Sequence, residues 1–172
     1  MIRRWLMIPV FFLACRADAV VEPPAAVGVV QNRCAEVPME PEKGPGVDAS
    51  EAYGKWLNRL LRTDFAGFCR YARENARLPP ATQQRIVFMG DSITEGWLNA
   101  DPAFFGGDRI DRGISGQTTR QMLLRFRADV IDLKPAVVHI LAGTNDIAGN
   151  NGPTTLAEIE GYTRRNLGKI GM

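Results

Sequence analysis

The chain has 172 residues, room for one domain, and its 45% hydrophobic and 23% charged content is that of an ordinary globular protein. A formal charge of +2 gives no electrostatic case for nucleic-acid binding, and no spacing of its three cysteines and one histidine resembles a metal site.

The chain opens with a basic "MIRR", a ten-residue apolar run "WLMIPVFFLA" and a small-residue "ADA" at 17–19. This is the pattern of an export signal, and the apolar run is far short of the roughly 20 residues that span a bilayer. Residues 1–19 are therefore expected to be a signal peptide ending at Ala19, with lipid attachment at Cys15 as the rival processing. Cleavage after Ala19 removes Arg3, Arg4, Arg16 and Asp18 and leaves a formal charge of zero. Residues 20–47, with Pro23, Pro24, Pro38, Pro41 and Pro45 and little periodicity, predict an extended linker. The domain proper is expected over 48–172. In an oxidising compartment Cys34 and Cys69 could pair. A buried free thiol at Cys69 is the expectation, because Cys34 falls in the linker.

From Asp48 an N-cap leads into a helix with Trp56, Leu57, Leu60 and Leu61 on one stripe. A second helix is predicted from Thr63 or Asp64 to the residues before Leu78-Pro79-Pro80, with Phe65, Phe68 and Tyr71 or Ala72 at core spacing. After it, strand and helix alternate. "RIVFMG" (85–90) is an apolar run suited to a strand covered on both faces. Residues 108–115 make a weaker strand. An amphipathic helix over 118–133 points Met122, Leu123, Phe126, Val130 and Ile131 inward and its arginines outward. "AVVHILAG" (136–143) is a third strand. The final helix, 154–170, opens on a Thr155 and Glu158 capping box and aligns Leu156, Ile159, Thr163 and Leu167. Such alternation predicts an α/β fold built of right-handed βαβ units around a parallel sheet.

In parallel sheets ligands bind beyond the carboxyl ends of the strands. Three small polar clusters fall there: "GDSIT" (90–94), "GISGQTT" (113–119) and "GTNDIAGNNG" (143–152). A serine hydroxyl attacks an ester when a base takes its proton and donors hold the oxyanion. Ser92 is the candidate nucleophile, its own N–H lying at a turn that opens a helix. Gly116 lets its N–H approach a ligand closely, and Asn145 offers an amide NH₂. Asp91 and Asp146 are expected to shape their turns through local hydrogen bonds rather than to titrate in the chemistry.

These three blocks, in this order and at these strand ends, resemble the SGNH, or GDSL-type, serine esterases and lipases over about residues 52–168. The pattern differs from the G-x-S-x-G elbow, since Thr94 stands where that motif needs glycine. The resemblance implies a flavodoxin-like three-layer αβα fold, Ser92 as nucleophile, and Gly116 and Asn145 as oxyanion donors. It implies no metal or cofactor and a small-molecule ester as partner. Short acyl or acetyl esters, acetylated carbohydrate, lysophospholipids and thioesters are the implied substrates.

The family's fourth element, Asp-x-x-His, supplies the general base and the aspartate that orients it. No histidine follows Asp146. The expectation is an incomplete domain, lacking the C-terminal strands and catalytic helix, whose ester hydrolysis is impaired; the alternative is a catalytically inactive ligand-binding or non-folding remnant. His139 lies in mid-strand, four residues before Gly143 and so roughly 13 Å from the strand end. It is expected to be a core or helix-facing residue.

Overall fold

A computed structural model describes Cys34, Val37 and residues 40–46 and 48–169. The expected signal peptide, Cys15 and most of the linker lie outside the described residues. Helix α1 (Ala49–Thr63) starts where expected, the Asp48 carboxylate accepting the Glu51 N–H at 2.8 Å. Its predicted stripe of Trp56, Leu57, Leu60 and Leu61 is only partly buried.

The predicted second long helix does not form. The buried Asp64 carboxylate accepts the N–H groups of Phe68 and Cys69, each at 2.8 Å, and Gly67 takes a φ of +70°. A short acidic side chain has captured donors that a helix would use, so the segment turns instead. Helical structure resumes only in α2 (Ala72–Asn75). Tyr71 is buried as expected, whereas Phe68 is 39% exposed.

A second correction concerns the cysteines. Cys34 and Cys69 form a disulfide, with their Cα atoms 5.2 Å apart, so Cys69 is not a free thiol. Residue spacing cannot show that the turned 64–71 segment presents Cys69 to the preceding chain. The bond ties part of the proline-rich stretch to the domain.

Strands β1 (Ile86–Gly90), β2 (Arg109–Gly113) and β3 (Val137–Leu141) form a parallel sheet in the order β2-β1-β3. Phe88 stands level with Asp111 and His139. One face carries Val87, Met89 and Ile110, packed under Met122 and Phe126 of α4 (Thr119–Asp129) with Val130 and Leu133. The other face carries Phe88. Its ring lies 5.5 Å from Trp97 of α3 (Ser92–Ala100) and 5.6 and 5.3 Å from Phe104 and Phe105. Helices thus cover both sheet faces, in the three-layer α/β arrangement. β1 is central and largely buried, while β3 pairs on one side only among the described residues and is partly exposed along its whole length.

The arginines of α4 do not all face outward. Arg120 and Arg127 do, but Arg125 is fully buried, three residues from Met122 on the inward stripe. Its guanidinium pairs with the equally buried Asp129 at 3.0 Å and donates to Gly90 O, Arg112 O and Gln117 Oε1. A buried cation is tolerated here because so many of its donors are satisfied. Helix α5 (Thr144–Ile147) is one turn, and α6 (Leu156–Lys169) packs beside α4. The Thr155 and Glu158 capping box forms as predicted, with Leu156 left 76% exposed rather than facing inward.

Candidate active site

The first block is built by close packing. A side chain at Gly90 would collide with Thr94 Oγ1, and one at Gly113 with the backbone N of Glu95. Two glycines therefore let the first turn of α3 sit directly over the ends of β1 and β2. Asp91 is buried and caps α3, accepting the Ile93 N–H at 3.0 Å, the local role expected of it. Ser92 is the first residue of the helix and is exposed. Its N–H is one of the first-turn donors that have no acceptor within the helix, and the helix dipole there favours negative charge.

The second block leaves β2 and turns through Gly116, whose φ of +77° suits a residue without Cβ. Ser115 donates its N–H to Glu95 Oε2 at 2.8 Å, and its hydroxyl donates to the same oxygen. Gln117 is buried, giving its Nε2–H to Ala66 O at 2.8 Å and receiving Arg125 Nε–H at 2.6 Å. Tyr71 OH donates to Gly113 O, and Arg70 reaches Glu95 Oε1 at 3.2 Å.

The third block closes the site. Asn145 Nδ2 donates to Gln117 O at 3.1 Å and to Asp91 Oδ2 at 3.3 Å. One side chain thus bridges the residue before Ser92 and the residue after Gly116, so the three clusters predicted at separate strand ends meet. Asn150 donates to Asn145 Oδ1 at 2.8 Å, which fixes the amide with its NH₂ toward the other two blocks. Asp146 does not make the local turn bond expected of it. It is buried and accepts Thr119 N–H at 2.8 Å and Thr119 Oγ1–H at 2.7 Å, clamping the third block to the start of α4.

His139 takes no part in this cluster. It is level with Phe88, four residues before Ser92, and its ring lies 5.4 Å from that of Phe88. Burial pushes its pKa below the usual histidine value, and its buried Nδ1 has no partner among the described residues. Among the described residues no group of three or more His, Cys, Asp or Glu side chains is placed to hold a metal.

Glu95, Gln117, Asn150 and Arg125 were not singled out by the sequence. The first three lie in or beside the motif blocks, where their polarity was a signal. Arg125 gave no such signal, an arginine of an amphipathic helix being expected to face outward.

The sequence profile of the GDSL-like Lipase/Acylhydrolase family matches residues 88–170, which contain all three blocks. Crystal structures that resemble the chain include two from Bacteroides species. One, from Bacteroides fragilis NCTC 9343 and described as an acylhydrolase, is 49% identical over 62% of this chain, with a TM-score of 0.60. The other, a GDSL-like lipase from Bacteroides thetaiotaomicron VPI-5482, is 51% identical over 62% of this chain, with a TM-score of 0.55. The chain spans 52% of the length of each. A Bacillus subtilis (strain 168) protein named uncharacterized lipoprotein YqeF is 38% identical over 78 residues, which are 37% of this chain and 32% of that protein. Over residues 88–170 the chain is similar to the GDSL-like lipase/acylhydrolase family.

Proposed function

We propose that the chain carries the nucleophile and oxyanion donors of a serine ester hydrolase acting on short acyl or acetyl esters. Acetylated carbohydrate, lysophospholipids and thioesters are the substrate classes that follow. The observation that supports this reading is the Asn145 bridge, whose amide donates to Asp91 and Gln117, the chain neighbours of Ser92 and Gly116.

In the reaction Ser92 Oγ adds to the ester carbonyl as a base removes its proton. Negative charge then develops on the carbonyl oxygen, which the N–H groups of Ser92 and Gly116 and Nδ2 of Asn145 would hold. Both Asn145 hydrogens are engaged in this structure, and the longer contact, to Asp91, is the one an oxyanion would take over. Collapse expels the alcohol with a proton, and water hydrolyses the acyl-serine to release the acid and regenerate Ser92. Loss of one such donor costs about 2.7–4 kcal/mol of transition-state stabilisation.

Among the described residues no imidazole stands beside Ser92, because the only histidine of the chain, His139, sits level with Phe88. Full activity then depends on a base from outside these residues, and the chain by itself is impaired. The decisive test is imidazole rescue. With p-nitrophenyl acetate, and after subtraction of the protein-free reaction, the rate of the intact chain rises with imidazole concentration. Ser92→Ala does not respond and stays at least about tenfold lower, general-base catalysis being worth about 10²–10⁴-fold. Equal rates for the two proteins would sink the esterase reading. A fall in rate from acetate to octanoate esters would support the short-acyl preference.

The protein is also read as exported. A Cys34–Cys69 disulfide suits an oxidising compartment, and one relative is named a lipoprotein. Cleavage after Ala19 and lipid attachment at Cys15 are the two forms this would take. No helix among the described residues is long and apolar enough to cross a membrane.

A further inference from the structure

We infer that Glu95 is a positioning residue, setting the Gly116 donor against Ser92; this rests on the esterase reading above. Glu95 sits three residues after Ser92 on the same helix, so its backbone moves with the nucleophile. Its carboxylate leaves that helix and takes both donors of Ser115, the residue immediately before Gly116. Two hydrogen bonds to one oxygen fix Ser115 in both position and orientation, and the peptide that follows carries the Gly116 N–H. The positive φ of Gly116 makes the loop's own backbone a weak constraint, so an external anchor has to set it.

The anchor is itself held. Arg70 contacts the other carboxylate oxygen at 3.2 Å, and a side chain at Gly113 would collide with Glu95 N, which shows how tightly this residue is seated over β2. The Glu95 side chain is 22% exposed, low enough for the contacts to persist against water. No other residue of α3 makes a side-chain hydrogen bond to the second block among the described residues. Charge-assisted acceptance makes these bonds short and directional. An oxyanion donor works only when it is aimed at the oxygen as charge develops, and a displacement of about 1 Å can cost about 10²-fold in rate.

The test uses the full chain in the imidazole-supplemented assay. Glu95→Ala is expected to lower kcat about 10- to 100-fold while KM changes less than about threefold, because the lost interaction belongs to the transition state. Glu95→Gln keeps an oxygen that can accept from Ser115 and is expected to recover to within about threefold of the parent chain. Thermal melts of both variants separate misplacement from unfolding, and amide exchange should quicken at Ser115 in Glu95→Ala while staying unchanged at Val87. A Glu95→Ala chain that melts normally and turns over at the parental rate overturns the inference, as does a Glu95→Gln chain as slow as Glu95→Ala. A parent chain no faster than Ser92→Ala overturns the esterase reading, and this inference with it.

Discussion

At the scale of single residues, His139 shows how a histidine in an esterase-like chain can be structural. Its ring packs on Phe88, and its buried Nδ1 has no partner among the described residues. Burial disfavours the imidazolium, so the folded-state pKa lies below the ordinary 6.5. Above pH 6.5 the ring is neutral in both folded and unfolded chains and costs nothing. As pH falls below that value the unfolded chain takes up a proton that the folded chain refuses, and stability declines until the folded pKa is passed. Thermal melts at pH 7 and pH 5 should therefore show a larger drop for the parent chain than for His139→Phe. An identical drop in the two would mean that His139 is not a source of the acid sensitivity.

At the scale of elements, α4 behaves as both a core helix and a site support. Arg125 sends one helix residue to the carbonyls ending β1 and β2 and to the Gln117 side chain. Arg125→Met would leave Asp129 buried without its cation, with only Asn75 donating to its Oδ1, and is expected to cost about 3–5 kcal/mol in urea unfolding. Arg125→Met combined with Asp129→Leu should recover much of that loss; a single variant as stable as the parent would refute the account. None of this was visible in the sequence, where an arginine at amphipathic spacing reads as solvated. Strands β1 and β3 were legible because unbroken apolar runs have few other uses, and the 63–77 helix was misread because the Asp64 carboxylate outcompetes the helix for its own N–H groups. The three polar blocks were legible as spacing. Their meeting through Asn145 was not, since hydrogen bonds between residues 91, 117 and 145 depend on how strands order in space.

At the scale of the whole molecule, the 64–71 segment couples Cys34 to the candidate site. Gln117 and Gln121 donate to Ala66 O and Phe65 O, Arg70 meets Glu95, and Cys69 is bonded to Cys34. The cross-link spans 35 residues, for which loop-closure entropy gives about 4 kcal/mol. Replacing Cys34 and Cys69 together by serine should lower the unfolding free energy by a few kcal/mol, and dithiothreitol should then have no further effect on the melt. A double variant as stable as the oxidised parent would rule out a stabilising cross-link. The other boundary of the sheet has a different consequence. Among the described residues β3 has a β-strand neighbour on one flank only, so the peptide groups of its other flank have no ladder partner there. Water is a poor competitor once another extended segment is plentiful. The behaviour of this protein in a tube therefore becomes a matter of mass action: dilute samples keep the flank hydrated, and crowded ones offer it a second copy of itself.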